Sequence, residues 1–290
     1  MIGYFYILIA VLSWGMEYVL IKAGADKIGA LMSGAILFTV TSSCLFLFSL
    51  QHKQLKKIIL DNLSSLIPIA LFGTCVNVFW LLGIEKTTVS NAAILGKSDI
   101  LFSILLSFFF FHEKVKKSDI IAIILMNLGI LLALNSDLNS FQFGNLGDFY
   151  ILIAALIMTI NAYLIKKCIK KVKPEIIAFC NTFINAIVFI ILTLIFTEAI
   201  DSNSFVFKDS YLILIGAGIC TFIFCIGYYR ALKTVFVWKI RLLCLFVPLV
   251  SIIANWFLYE KIPSMFQVSG GCFILLGGGI IILSDINKKK

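Results

Sequence analysis

The sequence predicts an all-α integral membrane protein in which ten transmembrane helices form two inverted five-helix repeats. Three observations lead there. Of 290 residues, 61% are hydrophobic and 13% are charged, against roughly 25% charged in a soluble domain. The apolar residues fall in runs of about twenty, the number needed to cross a bilayer at ~1.5 Å per residue. A block near the start, Phe5-Tyr6-Ile7-Leu8-Ile9-Ala10, recurs unchanged at 149–154.

Taken in order, the expected spans are 3–22, 30–50, 63–83, 91–111, 119–135, 148–166, 176–197, 211–230, 236–258 and 264–284, the fifth being short. The runs are apolar all round and about twice the length of barrel strands, which would alternate apolar and polar residues. Helices satisfy their backbone groups internally, as hydrocarbon requires. The first run has neither a basic leading region nor a clear small-residue cleavage site, so it reads as a retained helix.

The connections carry the orientation. Sixteen Lys and Arg fall in one alternating set of connections and ends, including Lys53, Lys56, Lys57, Lys166, Lys167, Lys170, Lys171, Lys173 and Arg230. Five (Lys22, Lys27, Lys86, Lys208 and Lys261) fall in the other set. By the positive-inside rule both ends of the chain lie in the cytoplasm, and the clean alternation requires an even number of spans. The expected location is a cell membrane, the inner membrane of a bacterium. The net charge of +9 is therefore a topology signal and not a nucleic-acid footprint.

The repeat extends beyond its first block. Leu-Ile-Lys stands at both 20–22 and 164–166, and Phe111-His112-Glu113-Lys114-Val115 matches Leu258-Tyr259-Glu260-Lys261-Ile262. The halves are thus 1–140 and 141–290, forming one membrane domain. Five helices is an odd number, so the second copy enters the membrane from the opposite side. Inverted copies supply two gates around a central site.

Charges within spans cost about 2.5–3.5 kcal/mol on insertion scales and need a reason to be there. Glu17 in the first span and Lys97 and Asp99 in the fourth lie at similar depth, which predicts a cluster in a shared cavity. Lys97 and Asp99 are two residues apart and cannot both face one point of a regular helix without distortion, so one is expected to bind substrate while the other pairs with a neighbour. Lys239 is expected to snorkel to the interface, whereas Arg241 is deeper and a candidate for the cavity. Trp14 shares a face with Glu17, and Asn77 shares one with Trp80. Asn161 occupies the place of Glu17 in the second repeat. Asn181 and Asn185, four apart, suit interhelical hydrogen bonding.

Enzyme chemistry finds little support. The eight cysteines lack metal-ligand spacing, and the two histidines, His52 and His112, fall in basic loops. There is no phosphate-cradling Gly-Lys-Ser/Thr loop. No catalytic residue, metal or cofactor is expected.

Several motifs together resemble a family. Ser13-Trp14-Gly15-Met16-Glu17-Tyr18-Val19-Leu20-Ile21-Lys22 is similar to the first helix of the drug/metabolite transporter superfamily, in its ten-helix EamA-type branch. Glu113-Lys114 and Glu260-Lys261 resemble its repeated acidic turn. Pro248, twelve residues before Glu260, and the glycine-rich last span (Gly270, Gly271, Gly277, Gly278, Gly279) also fit. Leu101 stands where a matching proline would be, and Glu17 where a neutral residue is usual. The resemblance implies a substrate cavity lined mainly by helices 1, 3, 4, 6, 8 and 9.

The residues expected to bind substrate are Trp14, Glu17, Asn77, Trp80, Lys97, Asp99, Asn161 and Arg241. Acidic groups for an ammonium and basic groups for a carboxylate suit an amino acid or similar zwitterion, moved by export or exchange. The partners are then that small molecule, the lipid bilayer, and a proton or solute gradient coupled through a protonatable Glu17. The alternative substrate is an organic anion or phosphorylated metabolite, since Lys97 resembles a lysine of the phosphate-translocator branch. Lys239 and Arg241 lie about two turns too early for that branch's paired cations. A membrane-embedded enzyme or assembly subunit is the remaining class.

Overall fold

A computed structural model describes residues 2–87, 89–111, 116–133, 144–196, 208–260 and 262–286, and the described residues contain helices and no strand. The helices are α1 (Ile2–Ile28), α2 (Ala30–Ser49), α3 (Leu55–Asp61), α4 (Leu63–Lys86), α5 (Val89–Gly96), α6 (Ser98–Phe111) and α7 (Lys117–Ala133). They continue as α8 (Leu146–Cys168), α9 (Pro174–Phe196), α10 (Lys208–Leu232), α11 (Val237–Leu243), α12 (Phe246–Tyr259) and α13 (Met265–Ile286). Among the described residues, eight segments are long and apolar enough to cross a membrane, with α11 and α12 counted together. The expected fourth span is two shorter pieces, α5 and α6, and the fifth corresponds to α7.

Local chemistry sets the boundaries. Gly29, at φ +83°, makes the sharp turn between α1 and α2 that a Cβ would oppose. At the start of α13 the Gln267 side chain accepts from the Ser264 N–H at 3.0 Å, and the Gln267 N–H donates to Ser264 Oγ at 3.2 Å. That reciprocal capping box satisfies donors a helix start leaves open. Asp148, fully buried in the first turn of α8, accepts from the Gly144 and Asn145 N–H groups and from the Thr87 hydroxyl and Asn91 amide. It therefore fixes the start of α8 against the turn between α4 and α5.

Two apolar runs are interrupted midway. Between α5 and α6 the Lys97 N–H donates to the Ile94 carbonyl, and the Ile100 N–H to Lys97. Between α11 and α12 the Leu245 N–H donates to Leu242, and the Val247 N–H to Cys244. Both are i→i−3 turns that tighten the backbone and redirect the helix.

The helices pair across the chain. α1 packs chiefly on α10, α2 on α9, α4 on α8, and α7 on α13, while α6 lies against α8 and α11, and α12 against α1. One apolar core gathers Ile7, Ile69, Ile176, Leu232 and Ile240, and a second gathers Ile100, Met126, Trp238, Leu245 and Ile274. The outer faces are oily as well, with Leu194, Phe257 and Phe109 largely exposed. An apolar exterior of this extent belongs in lipid.

In the α7–α13 pair the helices touch backbone to backbone. A Cβ built on Gly129 would lie 2.7 Å from the Gly270 carbonyl oxygen, and one on Gly270 would meet the Gly129 oxygen in turn. Small residues allow this approach in membranes, where close packing replaces hydrophobic driving force. Gly279, in the same helix, has open space around it. Gly270→Val should therefore lower the thermal midpoint in detergent by about 5 °C or more, and Gly279→Val should shift it by under ~2 °C. Equal effects of the two substitutions in one thermal-melt series would show that the crossing does not depend on this contact.

Candidate functional site

Two cavities meet at Trp14. The first, about 200 Å³, lies in the middle of the bundle and includes Glu17, Asn77, Asn161, Asn185, Tyr228 and Arg241 in its lining. The second, about 420 Å³, lies toward the end where α1 finishes, and is lined by Tyr18, Lys22, Trp80, Lys97, Ser251 and Asn255 among others. Trp14 lines both. Its ring sits 4.8 Å from Phe224 and 5.9 Å from Tyr18, centroid to centroid. The Ser251 hydroxyl donates to the Gly15 carbonyl at 2.9 Å, seating α12 against this part of α1.

Glu17 is buried beside the Thr221 hydroxyl. Its Oε2 has no hydrogen-bond partner, and no cation lies within ion-pair distance among the described residues. A buried carboxylate oxygen without a partner is costly. Here it lines a cavity large enough for several non-hydrogen atoms.

The neighbouring amides form a chain across three helices. Asn77 on α4 donates to Asn185 Oδ1 at 2.7 Å, and Asn185 donates to the Asn181 carbonyl at 2.8 Å. Asn181 donates to the Tyr229 hydroxyl at 2.7 Å. Asn161, oriented so that both ends of its amide are satisfied, donates to the Ile69 carbonyl and accepts from the Gly73 N–H. Gly73 has to be glycine for this arrangement, because a Cβ there would collide with the Asn181 side chain.

Arg241 is also buried, but its charge is engaged. Its Nη1 lies 3.7 Å from Asp99 Oδ2, Nη2 donates to the Met158 carbonyl at 3.1 Å, and the guanidinium lies over the Tyr228 ring at 5.3 Å. Its Nε has no hydrogen-bond partner. Asp99 is in turn held by its backbone, whose carbonyl accepts from Thr159.

The expected binding residues thus separate into groups. Trp14, Glu17, Asn77, Asn161 and Arg241 line the central cavity, and Trp80 and Lys97 line the second cavity with Trp14. Asp99 reaches the centre only through Arg241. The expected Glu17–Lys97–Asp99 cluster does not close: among the described residues no ion pair joins Glu17 to Lys97, Lys97 lines the second cavity, and Asp99 pairs with Arg241. Lys239 does not snorkel either. It is 2% exposed, with Nζ 3.7 Å from the buried Asp119 carboxylate. The His112, Glu113-Lys114 and Lys261 positions lie outside the described residues.

Sequence reasoning passed over Thr221, Tyr228 and Tyr229, which line the central cavity. The two tyrosines sit in an unbroken apolar run and carry no spacing signal. Asn181 and Asn185 did carry one. They make the interhelical hydrogen bonds their four-residue spacing suggests, and also face the cavity.

Comparison with known proteins agrees with this architecture. A solved crystal structure superposes with a TM-score of 0.80 at 15% identity, covering 99% of both chains. That likeness establishes the fold. An uncharacterized transporter of Haemophilus influenzae is 23% identical over 284 residues, covering 89% of this chain and 87% of that protein. The uncharacterized transporter sll1164 of Synechocystis is 24% identical over 218 residues, or 71% of this chain. The match spans about three fifths of that relative's length (61%). The EamA-like transporter family model matches residues 1–135 and again 145–283, and this multi-pass membrane protein belongs to that family.

Proposed function

We propose that the protein is a secondary transporter of a small ammonium-bearing polar metabolite, best fitted by an amino acid or similar zwitterion, working by alternating access. The observation that carries the reading is the Glu17 carboxylate, buried at the central cavity with an unpartnered oxygen and no neighbouring cation among the described residues. An ammonium group entering the cavity would supply the missing donor, with the faces of Trp14 and Phe224 beside it. Arg241 is already committed to Asp99, so the centre has a spare negative charge and no spare positive one. The carboxylate end of a zwitterion would then look toward Lys97, across Trp14 in the second cavity.

In this proposal the bundle has ten spans in two inverted halves, 1–140 and 141–290, with the interrupted α5–α6 and α11–α12 as the fourth and ninth. Three observations support it. The two interruptions, at Lys97 and Cys244, are 147 residues apart, the same offset that separates Phe111 from Leu258. The pairs α1–α10 and α4–α8 exchange under a swap of the halves, while α2–α9 and α7–α13 map onto themselves. The family model also matches each half separately. With the lysine-rich connections and both ends of the chain in the cytoplasm, the second cavity faces outward and the centre is closed off by the core that contains Ile7 and Ile176. Protonation of Glu17 would then offer a route to proton coupling, since a neutral acid releases an ammonium more readily than a carboxylate does.

A second substrate class, the organic anions or phosphorylated metabolites, is favoured by one observation. Lys97 lines the larger cavity, and among the described residues no carboxylate lies within ion-pair distance of it. Competition in a transport assay separates the two classes. Inhibition by amines and amino acids supports the first, and inhibition only by phosphate esters supports the second.

In proteoliposomes Glu17→Gln should reduce uptake of the ammonium-bearing substrate by roughly 10–100-fold, the loss of one charge-assisted hydrogen bond, with little change in thermal midpoint. Lys97→Ala should raise the half-saturating concentration of zwitterions while sparing simple amines. Normal transport by both variants would make these groups structural. The Asp99–Arg241 pair predicts a stability effect of a different kind. Arg241→Leu should destabilise by about 3–5 kcal/mol by leaving Asp99 charged and buried, and Asp99→Leu/Arg241→Leu should recover most of that loss. Denaturation midpoints of the three variants test this directly.

A further inference from the structure

We propose that the membrane-facing groove between α3, α4 and α9 holds one anionic phospholipid, with its headgroup among the lysines of the α2–α3 connection and its acyl chain against α4 and α9. This site is independent of the transported substrate. It begins at α3, a seven-residue helix that lies across the end of the bundle where α1 begins and is too short to cross anything. At ~100° per residue, Leu55, Ile58 and Ile59 share a face, and these three pack on the main apolar core.

Two contiguous hollows run from this helix into the apolar part of the bundle. One, about 220 Å³, is lined by Phe46, Leu55, Lys56, Ile59, Leu60 and Phe179. The next, about 300 Å³, shares Ile59 and Phe179 with the first and extends to Ala70 on α4 and Ile184 on α9. From Leu63 to Ala70 the α4 wall is seven residue steps, roughly 10 Å, most of the depth of one leaflet of a ~30 Å core. Apart from Lys56 at the mouth, the lining is entirely apolar. Such a channel fits an alkyl chain and offers a polar molecule nothing.

The charge at the mouth selects the headgroup. Lys53, Lys56 and Lys57 are exposed on and just before α3, and Lys170, Lys171 and Lys173 are exposed on the connection that leads into α9, the groove's other wall. The carboxylates on these segments do not neutralise them. Glu175 is buried and occupied by His52 at 3.0 Å and Arg230 at 3.9 Å, and exposed Asp61, four residues after Lys57 on α3, can offset one lysine of the six. The His52–Glu175 contact also ties the lysine-bearing loop to the first turn of α9, so the cations are held beside the groove. A zwitterionic headgroup brings its own ammonium into this field, whereas an anionic one brings only the complementary charge.

The test uses the purified full-length protein in a non-ionic detergent, with dioleoyl phosphatidylglycerol, dioleoyl phosphatidylcholine or glycerol phosphate added. Phosphatidylglycerol should raise the thermal midpoint by roughly 3–5 °C and persist as a single adduct of the monomer in native mass spectrometry. Phosphatidylcholine should give less than half that rise, and glycerol phosphate none. Lys53→Ala/Lys56→Ala/Lys57→Ala, which alters only exposed side chains, should remove the phosphatidylglycerol increment and leave the response to phosphatidylcholine unchanged. Equal stabilisation by the two lipids would overturn the proposal. So would stabilisation by glycerol phosphate alone, an increment that survives in the triple variant, or a dimer covering the groove in place of lipid.

Discussion

Charge buried in an apolar bundle must find a partner, and the way this chain meets that requirement organises much of its structure. Asp99 meets Arg241, Asp119 meets Lys239, and Glu175 meets His52 and Arg230. In each case one member comes from residues 1–140 and another from 141–290. Removing one member of such a pair leaves an uncompensated charge, so each acts as a clasp between the two parts of the chain. Glu17 stands apart. It is as buried as the others but has a hydroxyl neighbour in place of a cation, and its Oε2 has no hydrogen-bond partner.

The two cavities give that unpartnered oxygen a setting. The central one is rich in amides and hydroxyls, and the second is broader and more apolar, with Trp14 lining both. The asparagine chain through Asn77, Asn185 and Asn181 to Tyr229 holds α4, α9 and α10 together, and all four residues line the central space. A site built on interhelical hydrogen bonds ties the relative positions of helices to what occupies it, because a shift of one helix changes the donors and acceptors presented. In a low-dielectric interior such networks carry more weight than the same bonds would in water.

Most of the helices, and their apolar exteriors, were legible in the sequence because the signal is long and redundant: a run of twenty apolar residues survives an error of several residues at either end. Trp14, Glu17, Asn77, Asn161 and Arg241 were legible as cavity residues because polar groups in apolar runs are expensive and few. What the sequence hid was the side-chain pairing. Lys97 and Asp99 share the depth of Glu17, but depth does not say which neighbour each side chain meets. The i→i−3 turn at Lys97 is local backbone geometry that no periodicity announces, and the partner of Asp99 is Arg241, in the other half of the sequence. Lys239 misleads in a related way. A lysine near a helix end suggests snorkelling, but Asp119, from a helix more than a hundred residues away in sequence, offers a buried partner instead.

The interruptions at Lys97 and Cys244 then acquire a physical role. An unbroken helix would present residues 97 and 99 about 200° apart, one toward the cavity and the other toward a neighbouring helix or lipid. A tight turn changes the helix direction and frees a short stretch of backbone from the i→i−4 ladder; at it Lys97 lines one cavity, and just after it Asp99 neutralises the arginine at the edge of the other. Charges of both signs sit two residues apart with different close partners, Asp99 against Arg241 and Lys97 at the second cavity.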